Sequence, residues 1–246
     1  MERVLILLVA AFMAYMAPGI QGTAHLSFAN NTTQVSNFTR QTCGVTELCV
    51  ETPDDCDPAG NTTCLFAAIN ASTPMAPNGT DLTVKLSGES MGYIALGLTV
   101  NSSVGNTMLF ICAQNSSSNG TFFFRTMQRN NVNTTDAPTP LEKTVTEIRG
   151  SVTDNMIRCE FNIPDINATT SRSSHATTFT ILLGKGSFDG NTLGVFNVSL
   201  DSGPLNLRDP TSNVVNATTA PTGRAPTLAA NAVLLLLSVL SLSIML

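Results

Sequence analysis

The sequence predicts an all-β protein, an antiparallel β-sandwich with a disulfide-rich segment at its N-terminal end. Short segments rich in β-branched and aromatic residues recur from Asp81 onward, each bounded by turn residues. No stretch of ten residues combines a 3.6-residue periodicity with helix caps. The chain also holds six cysteines, an even number, which in a secreted protein indicates disulfides. About eight strands at this spacing favour a sandwich.

Residues 1–23 have the layout of a secretory signal peptide. Arg3 precedes an apolar run from Val4 to Met16, and small residues follow, among them Gly22 and Ala24. Cleavage is expected after Gly22 or shortly beyond it. The mature chain would then enter an oxidising compartment, where disulfides form.

The C-terminal end predicts a lipid anchor. Residues 228–246 are apolar, and no Lys or Arg follows them to orient a membrane-spanning helix. Asn216, with small residues after it and a polar spacer to Thr227, fits a GPI attachment site. Residues 204–227 are rich in Thr, Pro and Asn and are expected to form a stalk. A single-pass helix is the alternative; the expected location is the outer face of the plasma membrane.

Composition excludes one class of partner and indicates a glycoprotein. Only 12% of residues are charged and the net charge is −5, so no basic face is expected and nucleic acid is not a predicted partner. Thirteen N-x-[ST] sequons indicate a heavily glycosylated surface, with Asn216 assigned to the anchor instead. The other twelve are Asn30, Asn31, Asn37, Asn61, Asn70, Asn78, Asn101, Asn115, Asn119, Asn133, Asn167 and Asn197.

Residues 24–80 form the predicted Cys-rich segment, and its cysteines are Cys43, Cys49, Cys56 and Cys64. Their spacings are wider than those of zinc sites and no His lies near them. The stretch "DDCDPAGN" lacks the spacing and the final Glu of an EF-hand loop. We therefore predict no metal, and turn roles for Asp54, Asp55 and Asp57. The four cysteines are expected to pair among themselves, and Cys112 with Cys159.

Residues 81–203 are predicted to form the sandwich. The expected strands are "DLTVKLSG", "GYIALGLTV", "TMLFICAQ", "TFFFRTMQ", "KTVTEIRGSV", "NMIRCEFNIP", "HATTFTILLGKG" and "LGVFNVSL". The fifth and sixth form a hairpin around Asp154 and Asn155. In the fourth strand, Phe122 and Phe124 face one side and Phe123 the other, and burial of all three is expected.

One motif imitates a catalytic site. The stretch "GESMG" from Gly88 to Gly92 matches the G-x-S-x-G nucleophile elbow, with Ser90 in the place of the nucleophile. That elbow joins a strand to a helix, whereas a strand follows here. We therefore predict a turn and no catalytic residue.

Several motifs together resemble the DOMON domain of ferric-chelate reductase-like proteins. They are "LCVETPDDCDPAGNTTCLFAAI", "SGESMGYIALGLT", "IRCEFNIP" and "ILLGKG", within residues 43–200. The resemblance implies a β-sandwich that binds haem or sugars outside the cell. The reductase-type relatives join this domain to a six-helix transmembrane cytochrome, and residues 25–227 contain no apolar run long enough for such a helix.

The same resemblance defines candidate haem ligands. Haem-binding DOMON domains use one Met and one His, and the Met follows the "GYIALGL" strand. Val104 stands at that position here, and a Val side chain cannot donate an electron pair to iron. Met108, four positions later, and Met91, before the strand, are the remaining candidates. His175 precedes the "TFTILLGKG" strand, where the ligand His is expected.

Together these features predict a GPI-anchored extracellular glycoprotein that is not an enzyme. Its DOMON-like domain would bind an extracellular protein or a small ligand, without a cofactor. The alternative is an extracellular b-type haem protein that transfers electrons at the cell surface, with His175 and Met108 as ligands.

Overall fold

The structure is a computed structural model that describes residues 26–27, 35, 38–54, 56–60, 63–72, 79–115, 121–167 and 177–214. Residues 26–27 and Asn115 are described in their backbone only. The fold presented below lies within the unit that spans residues 1–213. In the described part of the chain no helix has the length and hydropathy needed to cross a membrane.

Two antiparallel sheets pack face to face, which confirms the predicted all-β sandwich. The strands are β1 (Leu26–Ser27), β2 (Leu48–Thr52), β3 (Leu65–Ala71), β4 (Thr80–Glu89), β5 (Tyr93–Thr99), β6 (Asn106–Asn115), β7 (Thr121–Asn130), β8 (Thr139–Pro140), β9 (Thr146–Thr153), β10 (Met156–Ile166), β11 (Thr178–Gly186) and β12 (Asn197–Asn206). The seven-stranded sheet has the order β1-β7-β6-β5-β11-β12, with β8 beside β7. The five-stranded sheet has the order β2-β3-β4-β10-β9.

The eight predicted strands correspond to β4–β7 and β9–β12. Alternation places apolar side chains of β4 and β10 toward the other sheet and polar ones outward. The predicted hairpin joins β9 to β10, and Asp154 and Asn155 at its turn have φ of 50° and 67°. Asp and Asn tolerate this left-handed conformation better than most residues, which explains why the turn forms there.

The core lies between the inner faces of the two sheets. Phe161 of the five-stranded sheet stacks on Phe110 and lies against Phe124 of the other, with ring centroids 5.8 and 4.9 Å apart. Cys112 and Cys159 form a disulfide across the same core, and both are fully buried. This pairing is the expected one, and it ties the two sheets together by a covalent bond.

The Cys-rich segment forms part of the sandwich. Its disulfides are Cys43–Cys49 and Cys56–Cys64, so the four cysteines pair among themselves as expected. Two runs of the segment form β2 and β3 of the five-stranded sheet: "LCVET", which contains Cys49, and "LFAAINA", which follows Cys64. No strand was predicted in this segment, because each run is short and lies close to cysteines and turn residues.

The rest of the segment covers part of the outer face of the five-stranded sheet. Phe38 packs there with the Cys56–Cys64 disulfide against Phe66 and Ala68 of β3. Two ion pairs add to this cover: Lys85 to Glu47 at 2.7 Å, and Arg40 to Glu51 at 2.6 Å. Other polar contacts shape the turns; Asp57 Oδ1 accepts a hydrogen bond from the backbone N–H of Ala59 at 3.0 Å.

The first residues of the predicted stalk are structured. Strand β12 continues to Asn206, and the turn after it is held by a hydrogen bond from Leu207 N to Thr177 O at 2.9 Å. Asn213 Nδ2 donates to Cys49 O at 2.8 Å, which attaches this turn to β2. The predicted signal peptide, the anchor site Asn216 and the apolar C-terminal run lie outside the described residues.

Candidate functional site

The outer face of the seven-stranded sheet is apolar and covered by a short connection. Tyr93, Leu109, Ile111 and Leu182 project from it and are buried. The connection between β11 and β12, residues 187–196, lies over them, and we call it the strap. This second cover explains why β5 is buried on both of its faces, in contrast to the alternation of β4.

Aromatic contacts and single hydrogen bonds hold the strap. Phe188 stacks on Phe123 of β7 with centroids 5.4 Å apart. The hydroxyl of Tyr93 donates to Gly194 O at 3.0 Å, and burial raises the pKa of this phenol, which therefore stays neutral. Arg125 lies over the Phe123 ring at 4.5 Å and donates to Asn191 O at 3.2 Å. No disulfide joins the strap to the sheet, since all six cysteines pair elsewhere.

A second arginine lies beyond the strap on the same face. Alternation along β7 places Phe123, Arg125, Met127 and Arg129 on the outer side of the sheet. Arg129 is only 5% exposed, and its guanidinium lies 5.4 Å from the centroid of the Phe196 ring. Its Nε atom is buried without a hydrogen-bond partner. Burial lowers the pKa of Arg129, and the negative charge of Asp201 opposes that shift.

Arg129 lines an open cleft of about 620 Å³. Leu182 and Phe196, both buried, also contribute to its wall, whereas Thr134 and Thr135 are exposed at its rim. Ser102, Val198 and Asp201 also line the cleft. A cleft of this size with an apolar base and a few polar groups is typical of small-molecule sites.

A buried asparagine fixes the loop that brings Ser102 to this cleft. Asn131 Nδ2 donates to Asn101 O at 2.7 Å and to Val104 O at 3.1 Å, while Oδ1 accepts from Thr107 Oγ1 at 2.5 Å. These bonds connect the end of β7 to the β5–β6 loop. The loop and the arginine two residues before Asn131 are therefore held in one arrangement.

Of the candidate haem ligands the structure describes Met108 and Met91, and it places them near opposite ends of β5. Met108 is half-buried and packs on the core between the sheets. Val104, which occupies the position of the expected Met, is 55% exposed in the β5–β6 loop. Met91 is 78% exposed in the turn before β5, at the opposite end of that strand. His175 lies outside the described residues.

Ser90 lies in a turn between two strands, β4 and β5. Its Oγ accepts a hydrogen bond from Gly92 N at 3.1 Å, and its carbonyl accepts one from Gln114 Nε2 at 2.6 Å. A nucleophile elbow requires a helix after the Ser, so the motif here has a different structural context.

Five sequon asparagines have described side chains, and all five are exposed: Asn70, Asn101, Asn133, Asn167 and Asn197. Three of them, Asn101, Asn133 and Asn197, lie in or beside the segments that line the Arg129 cleft. Asn115 is described in its backbone only, and the other sequons lie outside the described residues.

Sequence reasoning missed the Arg129 cleft. The cleft is built from four separate segments around residues 102, 129–135, 182 and 195–201. One signal was present: alternation in "TFFFRTMQR" puts Arg125 and Arg129 on the same side as Phe123 and Met127. An arginine on an apolar strand face needs a partner or a ligand.

Comparison with known proteins relates the chain to ferric-chelate reductase-like proteins. It is 27% identical over 169 residues to a Danio rerio protein named "Putative ferric-chelate reductase 1". The aligned region covers 68% of this chain and 28% of the relative. A Xenopus laevis protein of the same name is 27% identical over 77 residues, which covers 31% of this chain and 12% of the relative. The chain thus spans less than a third of the length of these relatives. No protein-family model matches it, and no solved structure gives a significant match.

Proposed function

We propose that this protein is a GPI-anchored glycoprotein of the cell surface whose DOMON-like sandwich binds an extracellular ligand without catalysing a reaction. Three disulfides suit an oxidising, extracellular compartment, and the similarity to ferric-chelate reductase-like proteins supports an extracellular domain. The observation that carries the binding role is the Arg129 cleft, which presents a buried, incompletely bonded cation beside exposed hydroxyls.

The binding role is tested with the secreted ectodomain, residues 24–215, and a panel of glucose, glucuronate, N-acetylneuraminate, citrate and amino acids. Saturation-transfer NMR should detect at least one bound compound. Val198→Trp, which fills the cleft and preserves the Asn197 sequon, should abolish the signal. Val45→Trp adds the same bulk at an exposed position on the Cys-rich segment and should leave it unchanged. Binding that survives Val198→Trp would contradict the assignment of the cleft.

The anchor is tested on intact cells that express the full chain. Phosphatidylinositol-specific phospholipase C should release the protein from the surface, and Asn216→Pro should lower its surface level. Retention after the enzyme treatment would instead favour a single-pass helix.

Haem b is a second candidate, supported by the strand register. Met108 pairs with Leu98, and Leu98 pairs with Ile181, so Met108 lies at the sheet end where β11 begins. In the sequence, His175 precedes β11 by three residues. Met91 precedes the other end of β5, about 20 Å away along the strand.

An absorption spectrum of the ectodomain with haemin tests this second candidate. A haem site would give a sharp Soret band that His175→Ala and Met108→Leu abolish, whereas Met91→Leu retains it. A spectrum identical to that of free haemin would exclude this candidate.

A further inference from the structure

Arg129 combines burial in the wall of the cleft with incomplete hydrogen bonding. The residue is only 5% exposed, and its Nε atom has no hydrogen-bond partner. A buried guanidinium N–H without an acceptor is costly, because its hydration is lost and no hydrogen bond replaces it. Stacking on Phe196 offsets only part of this loss.

Two candidates for an internal partner, Asp201 and Thr107, make hydrogen bonds to other groups and none to Arg129, although the Asp201 charge opposes the lowering of the Arg129 pKa. Asp201 lines the same cleft, but it forms no ion pair with Arg129, and its Oδ1 accepts the backbone N–H of Gly203 at 3.0 Å. Thr107 is the strand neighbour of Arg129, and its hydroxyl donates to Asn131. Arg125, on the same face, also has a buried Nε without a partner, but its Nη1 atom donates to the strap carbonyl of Asn191.

The surroundings of Arg129 define what could satisfy it. A planar guanidinium binds a carboxylate through two parallel hydrogen bonds. The rim supplies three hydroxyl groups, from Ser102, Thr134 and Thr135, and Asp201 supplies a further acceptor. A volume of about 620 Å³ admits a compound the size of a monosaccharide. The complementary ligand therefore carries one carboxylate and several hydroxyls.

We propose that the Arg129 cleft binds an acidic monosaccharide, with its carboxylate on the Arg129 guanidinium and its hydroxyls on the Ser102, Thr134 and Thr135 rim. A free acidic sugar and an acidic residue at the end of a glycan present the same groups, so both belong to this ligand class. This inference rests on the binding role proposed above and specifies the ligand class for the same cleft.

The decisive comparison uses two sugars that differ only in the carboxylate. Titration of the sialidase-treated ectodomain should give binding of glucuronate at least about tenfold tighter than of glucose, the difference expected for a charge-assisted pair. N-acetylneuraminate, free and at the end of a sialyllactose, distinguishes the free acid from the glycan terminus. Equal affinities for glucuronate and glucose would overturn the proposal.

Variants of Arg129 test the named contact. Arg129→Gln should weaken glucuronate binding about tenfold to a hundredfold, and Arg129→Lys, which keeps the charge without the planar fork, should weaken it less. The control Arg149→Gln, on the other sheet, should have no effect. Unchanged glucuronate affinity in both Arg129 variants would overturn the proposal, whatever their melting temperatures.

The outcomes separate this inference from the binding role itself. If a neutral sugar or an amino acid binds and Val198→Trp abolishes that binding, the cleft is a ligand site and the acidic-sugar class is wrong. If no compound depends on Val198, the proposed binding role fails together with it.

Discussion

The outer faces of the two sheets are both covered, but by different means. On the five-stranded sheet, the Cys-rich segment is held by two disulfides and by the Lys85–Glu47 and Arg40–Glu51 ion pairs. On the seven-stranded sheet, the strap is held by ring stacking, the Tyr93 hydroxyl and one hydrogen bond from Arg125. The first cover is closed with covalent bonds, whereas the second leaves the Arg129 cleft at its end.

This difference separates a structural surface from a candidate binding surface. The four charges of the Lys85–Glu47 and Arg40–Glu51 pairs on the first face have partners of opposite sign, so these pairs need no ligand. On the second face a buried arginine lacks an acceptor beside an open cleft. A buried polar atom without a partner calls for an explanation, and at Arg129 the adjacent cleft offers one, a bound ligand.

The largest expected effect comes from the aromatic side chain that holds the strap. Phe188→Ala removes the stack on Phe123, and we expect it to lower the free energy of unfolding by about 3 kcal/mol. Hydrogen exchange should accelerate throughout residues 187–196. Phe66→Ala, the matched change under the other cover, should destabilise the protein similarly but leave the exchange of residues 43–64 slow, because the disulfides remain. Equal acceleration on both faces would contradict the comparison.

Removal of the Cys56–Cys64 disulfide should make the Cys-rich segment more like the strap, which has no covalent link to its sheet. Replacement of both Cys56 and Cys64 by Ser removes a disulfide whose cysteines are 8 residues apart in sequence. We expect the free energy of unfolding to fall by about 2.5 kcal/mol. Thermal unfolding measures the loss, and hydrogen exchange should then accelerate in residues 56–64. Glucuronate affinity should be unchanged, and a weakened affinity would show that the two faces are not independent.

Much of the fold could be predicted from local pattern. The strands are short and are separated by turn residues. Asp154 and Asn155 indicate a hairpin, because both residues tolerate the left-handed conformation of its turn. Strands β2 and β3 were not predicted in this way, because β2 contains Cys49, β3 directly follows Cys64, and both runs are short. Their place in the sheet depends on pairing with β4, which is a tertiary contact.

The candidate site was far less predictable. The strap and Arg129 are more than fifty residues apart in sequence, and no local motif connects them. Arg129 is the second-last residue of β7, and charged side chains at strand ends are normally exposed to solvent. Arg129 is buried because Phe196, at the end of the strap, packs against its guanidinium. This contact is visible only in the three-dimensional structure.

The smallest expected effect concerns the pH dependence of the strap. Hydrogen bonds from the backbone N–H groups of Thr192 and Asn191 lower the pKa of Asp189 below its ordinary value of 3.8. Because the folded-state pKa is the lower one, the stabilisation is complete above the unfolded-state pKa and is lost as the pH falls through the folded-state value. Amide chemical shifts of residues 191 and 192 should therefore change below about pH 4. Asp189→Asn should abolish this titration, and its persistence would exclude Asp189 as the cause.

The most direct test of the account is hydrogen exchange of the glycosylated ectodomain with and without saturating glucuronate. We predict slower exchange in residues 129–135 and 193–201, which border the cleft, and no change in residues 43–64 under the disulfide-held cover. Unchanged exchange at the cleft, or equal protection on both faces, would contradict the claim that the seven-stranded sheet carries the binding site.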